Sequence, residues 1–185
     1  MSAKAEGTPN HIVFVGGMAS GKSSAARALA QRLGRPLRDS DEELTEASGR
    51  TGRETAARKG VAALHRAEAA HLLHAVATTE PSVIAAAASV VENERCLEAL
   101  QATDVVWLRV RPETAVRRMG GQAHRRSLGP DPIQALTTLA ERRAPRYRRV
   151  ADVTIDTDQL SPSDVVGRVI GRLDTHHDAP WRRWV

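Results

Sequence analysis

The residues best suited to bind phosphate lie near the start of the chain, in segment 16–23 with the sequence GGMASGKS. This segment fits G-x-x-x-x-G-K-[ST], the pattern of a loop that wraps around nucleotide phosphates. Its glycines let backbone N–H groups approach phosphate oxygens, because no Cβ stands in the way. Lys22 can reach the β- and γ-phosphates, and the Ser23 hydroxyl can bind Mg²⁺. The segment therefore predicts a nucleoside-triphosphate site.

The flanks of this loop have the periodicities that the motif needs. Residues 12–15 form a short apolar run typical of a buried strand, and residues 24–33 predict a helix. The amino end of that helix adds the positive end of its dipole to the same site. A chance glycine-rich turn is the alternative, and the flanking elements favour the phosphate loop. The expected nucleotide-binding residues in the loop are Gly17, Ala19, Ser20, Gly21, Lys22, Ser23 and Ser24.

Two carboxylates follow a short predicted strand at 36–39. Asp39 and Asp41 are two positions apart, so on an extended segment both side chains would point the same way. At the end of a sheet facing the phosphate loop, one could support Mg²⁺ and the other could orient or deprotonate an acceptor hydroxyl. The alternative is a helix N-cap ahead of Glu42 and Glu43. The nearby phosphate loop favours the catalytic interpretation.

A third group of polar residues lies around a glycine- and proline-rich loop, predicted at about 120–132. Phosphoryl transfer needs cations on the γ-phosphoryl oxygens and the exclusion of water, and a closing lid that carries arginines supplies both. A solvated basic loop is the alternative, and we expect only two or three of the arginines to contact ligand. The arginines that flank the Gly120-Gly121 hinge are Arg117, Arg118, Arg125, Arg126 and Arg143.

The elements that must position these residues alternate between strand and helix. Strands are predicted at 12–15, 36–39, 82–85, 104–110 and 151–155. Helices are predicted at 24–33, 42–47, 54–78 with a break near Gly60, 92–100, 112–119, 133–143 and 162–173. Such alternation predicts an α/β fold of three layers, with a five-stranded parallel sheet flanked by helices and ligands at the carboxyl ends of the strands.

The length of 185 residues fits one domain with a single core. We expect a flexible leader at 1–10, a kinase-type domain at 11–173 and a tail at 174–185. Aromatic residues make up only 3% of the chain, so small side chains must pack closely. The net charge of +5 comes from arginines that are not interleaved with aromatic residues. We therefore expect a small-molecule partner rather than nucleic acid.

The setting of the protein is indicated by what the sequence lacks. Cys96 is the single cysteine, which is typical of a reducing compartment. The first ten residues do not form the apolar core of a signal peptide, and no apolar run is long enough to cross a bilayer. We expect a cytoplasmic protein that binds no membrane and is a monomer or a weak homodimer.

With these motifs in this order, the chain resembles the shikimate kinases, within the nucleoside-monophosphate-kinase-like group of phosphate-loop folds. The likeness runs from about residue 11 to residue 172. Beyond the phosphate loop it depends on the segments DSDEE at 39–43, SGR at 48–50, RMGG at 118–121 with Arg125, and ERRAPRYRRVAD at 141–152. Together these matches are far more specific than the phosphate loop alone.

The resemblance implies an ATP-dependent transfer to an alcohol group, with ATP and Mg²⁺ as cofactors. By position, Lys22 and Ser23 are similar to the residues that bind phosphate and Mg²⁺, and Asp39 to the carboxylate on the metal side. Asp41 is similar to the carboxylate that holds the acceptor hydroxyl and acts as a base. The catalytic residues implied are Lys22, Asp41 and Arg125.

Three arginines also match the family by position. Arg118 is similar to the arginine that packs against adenine, and Arg125 to the lid arginine at the transferring phosphoryl group. Arg143 is similar to one of two arginines that clamp the carboxylate of the acceptor.

The departures from the family mainly concern the acceptor, apart from Arg126, which replaces the proline after the lid arginine. Its Gly-Gly-Gly segment aligns with Ala87, Ala88 and Ser89, whose side chains would narrow the pocket. The second clamping arginine aligns with His65. Loss of one arm of the clamp removes charge-assisted hydrogen bonds of about 1.5–3 kcal/mol each. Arg143 favours an acceptor with some negative charge, whereas His65 argues against a full carboxylate clamp.

We therefore predict a kinase with its ATP machinery intact and an acceptor other than shikimate, such as a cyclitol, a polyol or a hydroxy acid. The alternatives are a shikimate kinase with an altered pocket and an ATP-binding regulator that transfers nothing. The predicted acceptor-binding residues are Asp41, His65, Ala87, Ala88, Ser89 and Arg143.

Overall fold

The computed structural model of the chain describes residues 10–120 and 128–176. Three sequence predictions therefore lie outside the described residues in whole or in large part: the leader, most of the lid with Arg125, and most of the tail. Within the described ranges, no helix is long and apolar enough to cross a membrane.

A parallel sheet of five strands forms the centre of the molecule. The strands are β1 (Ile12–Gly16), β2 (Leu37–Asp39), β3 (Val83–Ala85), β4 (Asp104–Arg109) and β5 (Val153–Asp156). Their order across the sheet is β2-β3-β1-β4-β5, and every pairing is parallel. All five carboxyl ends therefore lie along one edge, with the end of β1 in the middle. The predicted sheet is confirmed.

Helices connect the strands and cover both faces of the sheet. They are α1 (Lys22–Leu33), α2 (Ser40–Ser48), α3 (Gly52–Lys59), α4 (Val61–Val76), α5 (Glu94–Leu100), α6 (Pro112–Met119), α7 (Pro132–Val150) and α8 (Pro162–His176). A short 3₁₀ turn, Val90–Glu92, precedes α5. Pro112 occupies the first turn of α6, where its missing N–H costs nothing.

The central strand β1 contributes alternate residues to two separate cores. Ile12 and Phe14 pack with the helices on one face, and Val13 and Val15 with those on the other. The first core is completed by α1 and α8, through residues that include Ala25, Ala26, Leu29, Val165 and Val169. The second is completed by α4, α5 and α7, through residues that include Ala69, Leu72, Leu97, Tyr147 and Val150. Alanines on the buried faces of α1 and α4 let these helices approach the sheet closely, as the low aromatic content predicted.

The carboxyl-terminal half of α7 differs from the sequence prediction, which ended this helix at residue 143. The helix continues to Val150 with Pro145 inside it, although proline removes one backbone hydrogen bond. Tyr147 and Val150 are buried, and the Tyr147 ring stacks on Trp107 with centroids 5.5 Å apart. Packing against the sheet therefore outweighs the local cost of the proline.

We predict that Gly16→Ala destabilises the protein by about 1–3 kcal/mol. Gly16 has a φ of +148°, and an added Cβ would lie 2.3 Å from the carbonyl oxygen of Leu108. Because that oxygen belongs to the backbone of β4, the strand itself would have to move. Urea denaturation measures the change.

The matched control is Gly167→Ala, which adds the same methyl group inside α8 where nothing lies within 4 Å. We expect this substitution to stabilise the protein by about 0.5–1 kcal/mol. Equal shifts in the two variants would contradict the steric explanation.

Candidate active site

A cavity of about 860 Å³ opens at the carboxyl edge of the sheet. The phosphate loop forms its floor, and α2, α3, α4, α6, α7 and the start of α8 contribute to its walls. It brings together all but two of the predicted site residues. Gly17 lies beside the cavity rather than on its lining, and Arg125 lies outside the described residues. The site residues that line it are Ala19, Ser20, Gly21, Lys22, Ser23, Ser24, Asp39, Asp41, His65, Ala87, Ala88, Ser89, Arg118 and Arg143.

The phosphate loop turns sharply between the end of β1 and the start of α1. Gly21 has a φ of +92°, and Ala19 has a φ of +56°, which is unusual for a residue with a Cβ. The ammonium group of Lys22 donates to the carbonyl oxygens of Gly16 (3.1 Å) and Gly17 (2.8 Å). The lysine charge is thus held at the loop, where phosphate oxygens would need it.

Asp39 caps α2, so the expectation that Asp39 and Asp41 share one extended segment is wrong. Oδ1 of Asp39 accepts from the backbone N–H groups of Asp41 (3.0 Å) and Glu42 (3.4 Å). The helix begins at Ser40, and Asp41 reaches the cavity from its first turn. Asp39 can therefore cap the helix and also belong to the site, because the cap uses only one of its carboxylate oxygens.

The second oxygen of Asp39 is suited to a metal ion. Oδ2 is buried and has no hydrogen-bond partner among the described residues. The Ser23 hydroxyl lies on the same cavity. No cluster of three or more His, Cys, Asp or Glu side chains suited to a metal occurs in the described part of the chain. Mg²⁺ needs fewer, because it binds through one or two carboxylates together with phosphate and water. These two residues fit a Mg²⁺ ion that accompanies a nucleotide.

Arg118 connects α6 to the phosphate loop and to the loop after β5. Its guanidinium donates to the carbonyl oxygen of Ala19 (3.2 Å) and to the carbonyl oxygen of Thr157 (2.6 Å). The buried Thr157 hydroxyl also lies within hydrogen-bond distance of the Ser20 carbonyl oxygen, at 3.1 Å. Apolar side chains beside this group offer a surface for a nucleotide base: Leu160, Pro162 and Val165. The sequence interpretation missed Thr157, which has no motif of its own.

The opposite end of the cavity is formed by the segment after β3 and by α4. The Ser89 hydroxyl donates to Oε2 of Glu68, and the Tyr147 hydroxyl donates to the carbonyl oxygen of Ala88 (2.9 Å). The Ser89 hydroxyl therefore donates its hydrogen bond within the protein. The sequence interpretation also missed Glu68, although its position three residues after His65 puts both on one face of a helix.

Burial raises the pKa of Glu68 above its ordinary value, and the nearby charge of Asp41 raises it further. The hydrogen bond from Ser89 and the charges of Arg143 and Lys22 act in the opposite direction without cancelling the shift. Glu68 is thus a carboxyl group for which ionisation is costly in the folded protein.

Arg143 is paired with a carboxylate of the protein itself. Its Nη2 donates to Oε2 of Glu92 (3.1 Å), and Arg142 donates to the other oxygen of the same carboxylate. Nδ1 of His65 lies 3.8 Å from Oε2 of Glu92. The Nε of Arg143 is buried without a partner among the described residues. Arg143 therefore has a counterion within the protein, and the acceptor with some negative charge that the sequence suggested from Arg143 stays a prediction.

The pKa of Glu92 lies below its usual range. Partial burial raises it, but the hydrogen bonds and charges of Arg143 and Arg142 outweigh that effect. The sequence interpretation gave Glu92 no role, since only the fold brings it next to α7.

The family model described as shikimate kinase matches residues 18–174 of this chain. The chain is 40% identical over 167 residues to a protein named shikimate kinase from Symbiobacterium thermophilum, covering 88% of this chain and 95% of that one. It is 35% identical over 162 residues to a protein of the same name from Rhodococcus jostii, covering 87% and 96%.

Solved structures of other proteins are also similar to this chain. The shikimate kinase from Acinetobacter baumannii in complex with shikimate has a TM-score of 0.86 and 28% identity, covering 92% of this chain and 96% of that one. A gluconokinase from Sinorhizobium meliloti has a TM-score of 0.59 and 19% identity, with coverage of 92% and 94%. At that identity the gluconokinase shows a shared fold alone.

We predict that Glu68→Gln stabilises the protein increasingly as the pH rises from about 5 to about 8. A carboxyl group whose pKa is raised in the folded state holds its proton more tightly when folded. Its contribution is therefore intact at low pH and is lost as the pH rises through the folded pKa. Glutamine has no such loss, and its amide oxygen can still accept the bond from Ser89. Urea denaturation across this pH range measures the difference.

The control is Glu54→Gln in the exposed capping box at the start of α3. Hydrogen bonds from Thr51 lower the pKa of Glu54. Its ionised form therefore stabilises the fold above the unfolded pKa, and its replacement should have the opposite sign at neutral pH. A Glu68→Gln effect that does not depend on pH would contradict the desolvation argument.

Proposed function

From the premise that the chain belongs to the shikimate kinase family, we propose that it moves the γ-phosphoryl group of ATP to a hydroxyl of a compact polar acceptor other than shikimate. The family is one of ATP-dependent phosphotransferases that act on a hydroxyl, and the fold of this chain is that of its solved members. The acceptor, the individual residue roles and the use of Mg²⁺ are proposals.

The observation that carries the proposal is that the phosphate loop and Asp41 line one and the same cavity. At the nucleotide end, Lys22 would hold phosphate oxygens, while Arg118 and the apolar residues beside it would hold the base. Mg²⁺, when bound, would neutralise phosphate charge, and Ser23 and Asp39 would hold it. Arg125 stays a predicted catalytic residue on the strength of the resemblance.

The transfer would proceed by direct displacement. The acceptor oxygen forms a bond to the γ-phosphorus, the bond from that phosphorus to the β,γ-bridging oxygen breaks, and ADP leaves. The hydroxyl proton passes to the carboxylate of Asp41. Asp41 reaches the cavity from the first turn of α2, so its carboxylate is available to orient the hydroxyl before transfer. This chemistry depends mostly on positioning and charge.

The acceptor end supports a compound other than shikimate. Ala87 and Ala88 add methyl groups where the family has glycine, and Ser89 uses its hydroxyl to bind Glu68. His65 stands at the position of a clamping arginine and cannot make the same bidentate bond. Such a pocket suits a cyclitol, a polyol or a hydroxy acid of similar size.

Shikimate itself is the second candidate, and the name shared by the relatives favours it. In that case the pocket would have been rebuilt around the same substrate. A nucleotide-binding regulator without transfer is the weaker alternative, because it would need neither Asp41 nor Arg143 in the cavity. The location in the cytoplasm and the monomer or weak homodimer stay predictions from the sequence.

We predict that purified protein with Mg²⁺ and ATP releases ADP in the presence of a cyclitol, a sugar or a hydroxy acid, and that Asp41→Asn lowers kcat about 10²–10⁴-fold. Asparagine keeps the size of the side chain but cannot accept the proton. ADP release across an acceptor panel that includes shikimate measures activity, and titration with a fluorescent ATP analogue shows whether nucleotide binding is kept. Faster turnover with shikimate than with every other acceptor would overturn the choice of acceptor.

We predict that Asp39→Asn raises the Mg²⁺ concentration needed for half-maximal activity about tenfold or more, with little change in stability. Asparagine is an N-cap as good as aspartate, so its Oδ1 can keep the bonds to Asp41 and Glu42. Its amide nitrogen replaces Oδ2 and cannot bind a cation. Activity across a Mg²⁺ titration, paired with urea denaturation, separates the two roles of the carboxylate. An unchanged Mg²⁺ requirement would show that Asp39 serves only as a cap.

A further inference from the structure

Resting on the proposed function, we infer that the acceptor is an uncharged polyol and that Glu92 determines this specificity. The carboxylate of Glu92 accepts a hydrogen bond from Arg143, the arginine that would otherwise bind a carboxylate of the acceptor. The negative charge of Glu92 thus takes the place of the charge that an anionic acceptor would bring to Arg143.

The contacts around Glu92 link both positions of the expected clamp. Oε2 of Glu92 lies 3.1 Å from Nη2 of Arg143 and 3.8 Å from Nδ1 of His65. Only 8% of the Arg143 side chain is exposed, so water cannot readily replace this partner. Arg142 fixes the other oxygen of Glu92 from the outer side. One carboxylate therefore bridges the two residues that would hold an acceptor carboxylate.

An acceptor carboxylate that approached Nη2 of Arg143 would have to compete with Glu92 for that group. Glu92 belongs to the same chain, so it competes at a high effective concentration. It lies in the 3₁₀ turn ahead of α5, and Asn93 caps that helix with its side chain, so the backbone of this segment is well anchored. A dissolved anion has no comparable advantage.

Two more carboxyl groups at this end also disfavour an anion. Asp41 and Glu68 both line the cavity, and the charge of Asp41 adds to the burial that raises the pKa of Glu68. A further carboxylate beside them would be repelled by the charge of Asp41. Carboxylates accept hydrogen bonds only, whereas polyol hydroxyls can donate them. A neutral ring with several hydroxyls therefore complements Asp41 and Glu68, and its C–H surface can pack on the methyl groups of Ala87 and Ala88.

The experiment compares two acceptors that differ at one substituent: shikimate, and the neutral alcohol in which its carboxylate is reduced to CH₂OH. We expect the wild-type protein to use the alcohol at least about tenfold better in kcat/KM, because the carboxylate of shikimate would lose its hydration without gaining a charge-assisted bond in return. Binding of both compounds to the protein with a non-hydrolysable ATP analogue, measured by calorimetry, gives a readout that does not need transfer.

The variant is Glu92→Gln, which leaves Arg143 without a charged partner at that oxygen. We expect the ratio of kcat/KM for shikimate to kcat/KM for the alcohol to rise about 10–100-fold. The matched control is Glu94→Gln, two residues along, whose carboxylate pairs with the exposed Arg149 away from the cavity. It should leave the ratio of the two acceptors unchanged.

The outcomes separate this inference from the proposed function. A wild-type preference for shikimate, an unchanged ratio in Glu92→Gln, or failure of both compounds to bind would overturn the inference. Preferential binding of the alcohol without ADP release would overturn the proposed function and support the inference. The wild-type comparison needs no variant, so it stands even if Glu92→Gln does not fold.

Discussion

The parallel pairing of β1 between β3 and β4 is the constraint on which the rest of this molecule depends. Phe14 is in register with Ala85, and Ala85 with Asp39, so the phosphate loop, the segment after β3 and the start of α2 leave the sheet side by side. On the other side, Gly16 passes so close to the Leu108 carbonyl that a Cβ would not fit. The pairing of the strands therefore places the segments that carry the site next to one another.

This arrangement explains which parts of the fold could be predicted from the sequence. The phosphate loop predicts the strand before it and the helix after it, because glycines and a lysine at this spacing are typical of a strand–loop–helix unit that binds phosphate. The boundaries of α2 and α7 could not be predicted as well. Asp39 both ends a strand and caps a helix, and Pro145 would end a helix if Tyr147 did not pack against the sheet. At α7 a tertiary contact outweighs the local preference for a helix end, whereas at α2 the capping interaction is itself local.

The two ends of the cavity also differ in how well they could be predicted from the sequence. The phosphate loop at the nucleotide end is built from contiguous residues, and its prediction needed little more than the motif. The acceptor end is built from α4, α7 and the segment after β3, which are up to about 80 residues apart in the chain. Glu68 could have been found from its helical spacing to His65. Glu92 could not, because its contact with Arg143 joins residues 51 positions apart.

The pairing of Arg143 follows from the cost of burying charge. A guanidinium with so little exposed surface needs a counterion in the folded protein whether or not a ligand is present. In this chain Glu92 supplies that charge permanently. Nδ1 of His65 lies 3.8 Å from the same carboxylate, so Glu92 faces both of the residues that the sequence predicted to hold the acceptor at this end.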